Sequence, residues 1–149
     1  MDLEILHKDP YLAVVVKPAG VPCHGRQRMA MNNMLRAPWS LEQLGWPTQT
    51  TPRLVHRLDY GTKGPLMVAI TADLAAKCQT LWPTFSKTYH AWLRGHFDTP
   101  RGRCSMAIEG KPASSRFQVL GHRPWPIHEE ATLVEWRIDT GRTHQIRRH

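Results

Sequence analysis

The chain reads as an α+β domain with a mostly antiparallel mixed sheet and few helices. Two observations predict this class. Short runs rich in Val, Ile, Leu and aromatic residues recur between turn signals along the whole length. Only one stretch, from about Ala72 to Trp82, carries a sustained helical pattern. With 149 residues and no repeats, low-complexity tracts or linkers, the sequence predicts a single domain over residues 1–149 that buries its own core.

The elements follow in order. Leu3-Glu4-Ile5-Leu6 is a short strand, Asp9-Pro10 a turn, and Leu12 to Val16 a β-branched run suited to a buried strand. Lys17-Pro18-Ala19-Gly20 ends it as a turn. From Val21 to Pro52 the chain is irregular, with four prolines after Gly20. One short helix fits there, with Ser40 and Gln43 as a capping box and Gly45 as its stop. A connection this long is a candidate functional segment, and Arg26 and Arg28 suggest that it closes over a polyanion. Arg53 to His56 and Leu66 to Ile70 are strands. The helix from Ala72 takes Thr71 or Asp73 as its cap, places Leu74, Cys78 and Leu81 on one face, and ends at Pro83. Lys87 to Leu93 alternates as a strand with Tyr89, Ala91 and Leu93 on one side. Ser115 to Leu120 and Ala131 to Ile138 are further strands. Gly141-Arg142-Thr143 turns the chain into a helix at His144, with Thr143 as N-cap.

Composition narrows the function classes. The apolar fraction is 41%, and no apolar run approaches the ~20 residues that span a bilayer. Met1 to Pro10 carries Asp2, Glu4 and Asp9 in place of a basic flank and apolar stretch, so no signal peptide is expected. A soluble, cytoplasmic and monomeric protein is the expectation. Cys23, Cys78 and Cys104 form no CxxC pair, which argues against a disulfide framework and a zinc knuckle. None of the nine histidines falls in an HExxH pattern, so no metal is expected, and a metal-dependent nuclease is disfavoured. The net charge of +8 and a pI near 9.9 favour polyanions, and arginine exceeds lysine, which suits bidentate phosphate contacts. RNA or DNA is the implied partner, though charge alone names no activity.

Three places carry candidate chemistry. Arg57-Leu58-Asp59 ends an apolar strand and runs into a loop with Gly61, Thr62 and Gly64. An aspartate held ionised there can act as nucleophile or base, although Asp before a Gly-containing turn is commonly only a turn residue. Gly141 through His149 forms a cationic helix start able to take a phosphate, or simply a solvated basic helix. Tyr89, beside Lys87 and Thr88, is either a stacking platform for an unpaired base or a half-buried sheet tyrosine.

Taken together, these segments resemble the RluA family of RNA pseudouridine synthases. The resemblance rests on Lys17-Pro18-Ala19-Gly20 (KPxG), His56-Arg57-Leu58-Asp59 (HRLD), Lys87-Thr88-Tyr89 (KxY) and Gly141 through Arg147 (GRTHQIR), in that order. Gly110-Lys111-Pro112-Ala113 looks like a further family segment. Within the family, the compact start and Arg147-Arg148-His149 are most similar to members that act on tRNA.

The resemblance implies a pseudouridine synthase-like catalytic domain that isomerises a uridine in tRNA or rRNA to pseudouridine, with no cofactor. It implies Asp59 as the catalytic carboxylate and Tyr89 as the residue that stacks on the target base and helps remove its C5 proton. Arg147 becomes the basic partner of the aspartate, and Arg57 helps to splay the RNA. His56, Thr62 and Ile146 of the same motifs complete the substrate-binding set. Lys63 and Pro65 depart from the family's usual HRLDxxTSG-aliphatic pattern. Family members also continue past GRTHQIR, so a C-terminally short domain or a fragment is expected, and a weak or inactive RNA-binding remnant is the alternative.

Overall fold

The first hairpin forms because Asp9 turns the chain. Its Oδ1 accepts the N–H groups of Tyr11 and Leu12, each at 2.7 Å, as an Asx turn. Those bonds, Leu12 first and Tyr11 second, hold the Asp9 carboxyl below its usual range. Strand β1 (Ile5–Lys8) thereby folds antiparallel onto β2 (Leu12–Lys17). The computed structural model describes residues 2–126 and 129–149, and the chain divides into two units, the first ending at Pro83 and the second beginning at Thr84. The α+β class and the antiparallel pairing hold in both, with the strands divided between two four-stranded sheets.

In the first unit β3 (Arg53–Leu54) and β4 (Gly64–Ala69) complete a sheet of order β1-β2-β4-β3. Register decides its two faces. Ala13 pairs with Val68, Val15 with Leu66 and Lys17 with Gly64, so Ala13, Val15, Lys17, Leu66 and Val68 share one face, and all five side chains are fully buried. Leu12, Met67 and Ala69 lie on the other face, under helix α3 (Ala72–Leu81). Thr71 is the cap, its Oγ1 accepting the Leu74 N–H at 3.2 Å. Leu74 and Cys78 pack on Val55, Ala69 and Ala75 as expected, but the third member of that face is Trp82, while Leu81 is exposed. A spacing of four places Trp82 over Cys78, and the chain leaves the α-helix at Trp82–Thr84 as a 3-10 turn.

The segment after Gly20 carries two helices, α1 (Met31–Met34) and α2 (Pro38–Leu44), where one was expected. Ser40 does not cap α2. The helix begins at Pro38, whose fixed φ and missing N–H suit the first turn, and Ala37 is its N-cap. Ser40 sits inside the helix and donates to the Met34 carbonyl at 2.6 Å. Gly45 does stop it, in the left-handed region at φ 74°. Gln43 accepts the Leu3 N–H at 2.9 Å, Lys8 donates to the Gln43 carbonyl at 2.7 Å, and the Trp46 indole donates to the Asp9 carbonyl at 2.9 Å. The α2 end of this segment is thus fastened to the first hairpin.

The second unit contains β5 (Thr88–Arg94), β6 (Arg101–Cys104), β7 (Ser115–Trp125), β8 (Glu129–Ile138) and α4 (Gln145–Arg148), with sheet order β5-β8-β7-β6. Strand β6 was not legible in the sequence, because Arg-Gly-Arg-Cys has no apolar alternation. It pairs at the sheet edge, and Gly102 lies under the Phe117 ring, where an added Cβ would come within 2.8 Å of the ring. Val134, Thr132 and Trp136 of β8 are buried together with Ser115 of β7. β7 runs past the expected end at Leu120 through a bulge between Val119 and Gly121.

Loss of the α3 cap should be measurable. Thr71→Ala is expected to cost about 1 kcal/mol in urea unfolding, whereas Thr71→Ser should shift the midpoint by only a few tenths of that.

Candidate active site

Asp59 sits half-buried in a tight turn closed by the Thr62 N–H, which donates to the Asp59 carbonyl at 3.0 Å. The turn is fastened on both sides. On one side, the Cys23 thiol donates to the Leu58 carbonyl and its sulfur receives the Leu58 N–H, both at 3.3 Å. On the other, the Tyr60 carbonyl accepts the Gly20 N–H at 2.8 Å and the Lys17 ammonium at 3.3 Å. Gly20 has φ +75°, the left-handed conformation that glycine tolerates.

Lys17 is the residue that sequence reasoning underused. Its ammonium is fully buried and donates to the carbonyls of Pro18 at 2.8 Å, Val21 at 2.7 Å and Tyr60 at 3.3 Å, which saturates its donors. Burial pushes its pKa down, while the charges of Cys23 and Asp59 push it back up. Within the first unit, Lys17 is therefore a cation that fastens the turn carrying Asp59. The signal was present in the sequence: Lys17 continues the Ala13, Val15 alternation and so points into the core.

His56 and Arg57 divide sharply. Arg57 is exposed. His56 stacks on Trp82 with ring centroids 4.0 Å apart, and its Nε2 accepts the Met67 N–H at 3.1 Å. Burial lowers its pKa to about 4, against a weaker opposing effect of the Arg57 backbone hydrogen bond. The imidazole is thus a neutral acceptor that extends the edge of β4, and its contacts are structural. Thr62 contributes its N–H to the Asp59 turn and is half-buried.

In the second unit Tyr89 lies half-buried on β5, opposite Trp136 of β8. Arg147 is exposed on α4 and Ile146 is half-buried. The expected Thr143 cap is absent. His144, at φ 54° in the left-handed region, stands at the N-cap and makes no side-chain capping bond to the helix, and α4 is a single turn. The cause is Gln145, which is buried and fully satisfied. Its Oε1 accepts the Thr140 hydroxyl at 2.8 Å and the Arg142 N–H at 3.0 Å, and its Nε2 donates to the Ser114 carbonyl at 2.9 Å and the Ser115 hydroxyl at 2.8 Å. The Arg142 N–H, just before this helix, is thus occupied by Gln145.

Comparison with known proteins places these motifs. The RNA pseudouridylate synthase family matches residues 11–149. The chain belongs to that family. It is 36% identical to the ribosomal large subunit pseudouridine synthase D of Zymomonas mobilis, over 99% of this chain and 51% of the relative. It is 31% identical to the ribosomal large subunit pseudouridine synthase C of Vibrio cholerae, over 97% of this chain and 48% of the relative. Among solved structures it resembles human RNA pseudouridylate synthase domain containing 4, with a TM-score of 0.77 and 27% identity over 96% of this chain and 61% of that one. The chain thus spans about half the length of the curated relatives it matches.

Two tests follow from this geometry. His56 takes up a proton near pH 6.5 when unfolded but only near 4 when folded. Its stabilising contribution is complete above pH 6.5 and is lost as pH falls towards 4, by on the order of 3 kcal/mol. Stability measured by denaturant unfolding should fall over that window, and His56→Gln, which keeps an acceptor for Met67 but does not titrate, should reduce the fall. Lys17→Met removes the ammonium from the Asp59 turn, so the Thr62 amide is expected to exchange with solvent at least about tenfold faster.

Proposed function

We propose that this chain carries the catalytic part of an RNA pseudouridine synthase that isomerises a uridine within tRNA or rRNA. The observation that supports this reading most is the Asp59 turn, fastened by Cys23, Gly20 and Lys17, in a chain of this family. The reaction breaks the C1′–N1 bond, rotates the bound uracil, joins C5 to C1′, releases the C5 proton to solvent and takes up a proton from solvent at N1. Atoms and electrons balance within the nucleotide and water, so the proposal includes neither metal nor cofactor. The names of the relatives favour ribosomal large-subunit RNA among the substrates. We further propose a monomer acting in the cytoplasm.

Asp59 is assigned to the ribose, either as nucleophile at C1′ or as base at the 2′ carbon. A primary isotope effect from deuterium at C2′ separates the two. A carboxylate serves either role only when ionised. By their motifs, Tyr89 is assigned to stacking on the base and to the C5 proton, Arg147 to the counter-charge of the aspartate, and Arg57 to the space vacated by the flipped nucleotide. By the same motifs His56, Thr62 and Ile146 are assigned to the substrate-binding set. Flipping costs a few kcal/mol of stacking, least in a loop, so an unpaired uridine is the preferred target.

The test uses unmodified tRNA and rRNA carrying tritium at uracil C5. Release of tritium to water is expected with the chain as it stands, and Asp59→Ala should abolish it. Unchanged release in Asp59→Ala would sink the assignment, and RNA binding without any release would favour a non-catalytic RNA-binding role.

A further inference from the structure

The second sheet presents a row of arginines and two tryptophans that the proposed chemistry does not use. Register puts them on one face. Arg103, Arg116 and Arg137 stand in one cross-strand row, and Arg101, Gln118 and Glu135 in the next. Farther along β8, Trp92 lies opposite Leu133, Arg94 and Arg123 flank Ala131, and Trp125 pairs with Glu129. Tyr89 is three residues from Trp92 on the same strand and therefore belongs to the opposite face.

Charge and shape on this face are specific. Arg94 is held by Glu129, Arg137 by Glu135 at 3.1 Å, and Asp139 is shared by Arg116 at 2.8 Å and Arg103 at 3.7 Å. Arg101 and Arg123 have no carboxylate partner among the described residues, so the face keeps an excess of positive charge. The Arg123 guanidinium lies 3.9 Å over the Trp92 ring and 5.3 Å from that of Trp125. The rings attract the guanidinium charge, and its N–H donors remain able to hold a phosphate. Both indoles are two-fifths exposed or more, at 44% and 40%. Exposed flat rings beside phosphate-binding cations match unpaired nucleotides, whose bases are free to stack; paired RNA keeps its base faces covered.

We infer that this outer face is a single-stranded RNA-binding surface, distinct from the face that carries Tyr89, with Trp92 and Trp125 stacking on bases and Arg101 and Arg123 holding phosphates. The inference rests on the reading of the chain as RNA-acting, and is independent of Asp59 chemistry.

The test is fluorescence anisotropy of a labelled, unstructured uridine-rich RNA of about 12 nucleotides, within the usual site size of such surfaces. Trp92→Leu is expected to weaken binding about tenfold. Arg123→Gln should also weaken it and lower the slope of log affinity against log salt by about 0.7, the value for one phosphate on a single strand. Arg101→Gln, at an exposed edge position away from the core, should lower the slope by the same amount. Wild-type affinity and slope in all three variants would overturn the inference, as would failure of the unmodified protein to bind the oligonucleotide. Tritium release by the same preparations reports on Asp59 separately: binding that follows the expected pattern without release would sink the catalytic reading and leave this surface standing.

Discussion

A buried ammonium is the constraint on which the first unit depends. Lys17 ends a strand whose inward positions are otherwise Ala13 and Val15, so its charge has nowhere to go but into backbone carbonyls. Those carbonyls belong to the chain that leaves β2 and to the turn that carries Asp59. Removing an ammonium from water costs several kcal/mol unless every donor is met. The penalty for misplacing any of these carbonyls is therefore high, and the geometry of the turn follows. Cys23 adds a weaker restraint from the side of Leu58, so the loop is determined at its beginning and at its middle.

Gln145 plays the corresponding part in the second unit. A one-turn helix has little intrinsic stability, because nucleation is not repaid by propagation. Here its start is set by a buried amide that reaches Thr140, Arg142, Ser114 and Ser115. In both units a buried polar side chain, more than helix or strand propensity, fixes the segment that bears a family motif. Such groups act by making alternative arrangements expensive, since any slip leaves a donor or acceptor unpaired.

What the sequence disclosed and what it concealed divide along the same line. The buried strand from Leu12, the Asp9 turn, the Thr71 cap and the alternation of Tyr89, Ala91 and Leu93 were legible because each depends on local chemistry or a fixed period. The four motifs disclosed the family. Strand β6 was hidden because its pairing is decided by Phe117 lying over Gly102, a contact between strands. The start of α2 was misplaced because Ser40 answers to Met34 and not to its own helix. His56 was read as a substrate residue on motif grounds, and its contacts with Trp82 and Met67 became visible only in the fold. Lys17 and Gln145 were quoted within motifs without a role, since only burial reveals what they hold.

The bulge at Leu120 has a consequence for how this sheet tolerates change in length. Before it, even-numbered residues of β7 face outward, as Arg116 and Gln118 do; after it, odd-numbered ones do, as Arg123 and Trp125 do. The extra residue is itself exposed. A lineage could therefore lose Leu120 and keep every neighbouring side chain on its present face, because Val119 and Gly121 already pair with adjacent residues of β8. The bulge is thus a place in this strand where a codon can be lost without the sheet taking notice.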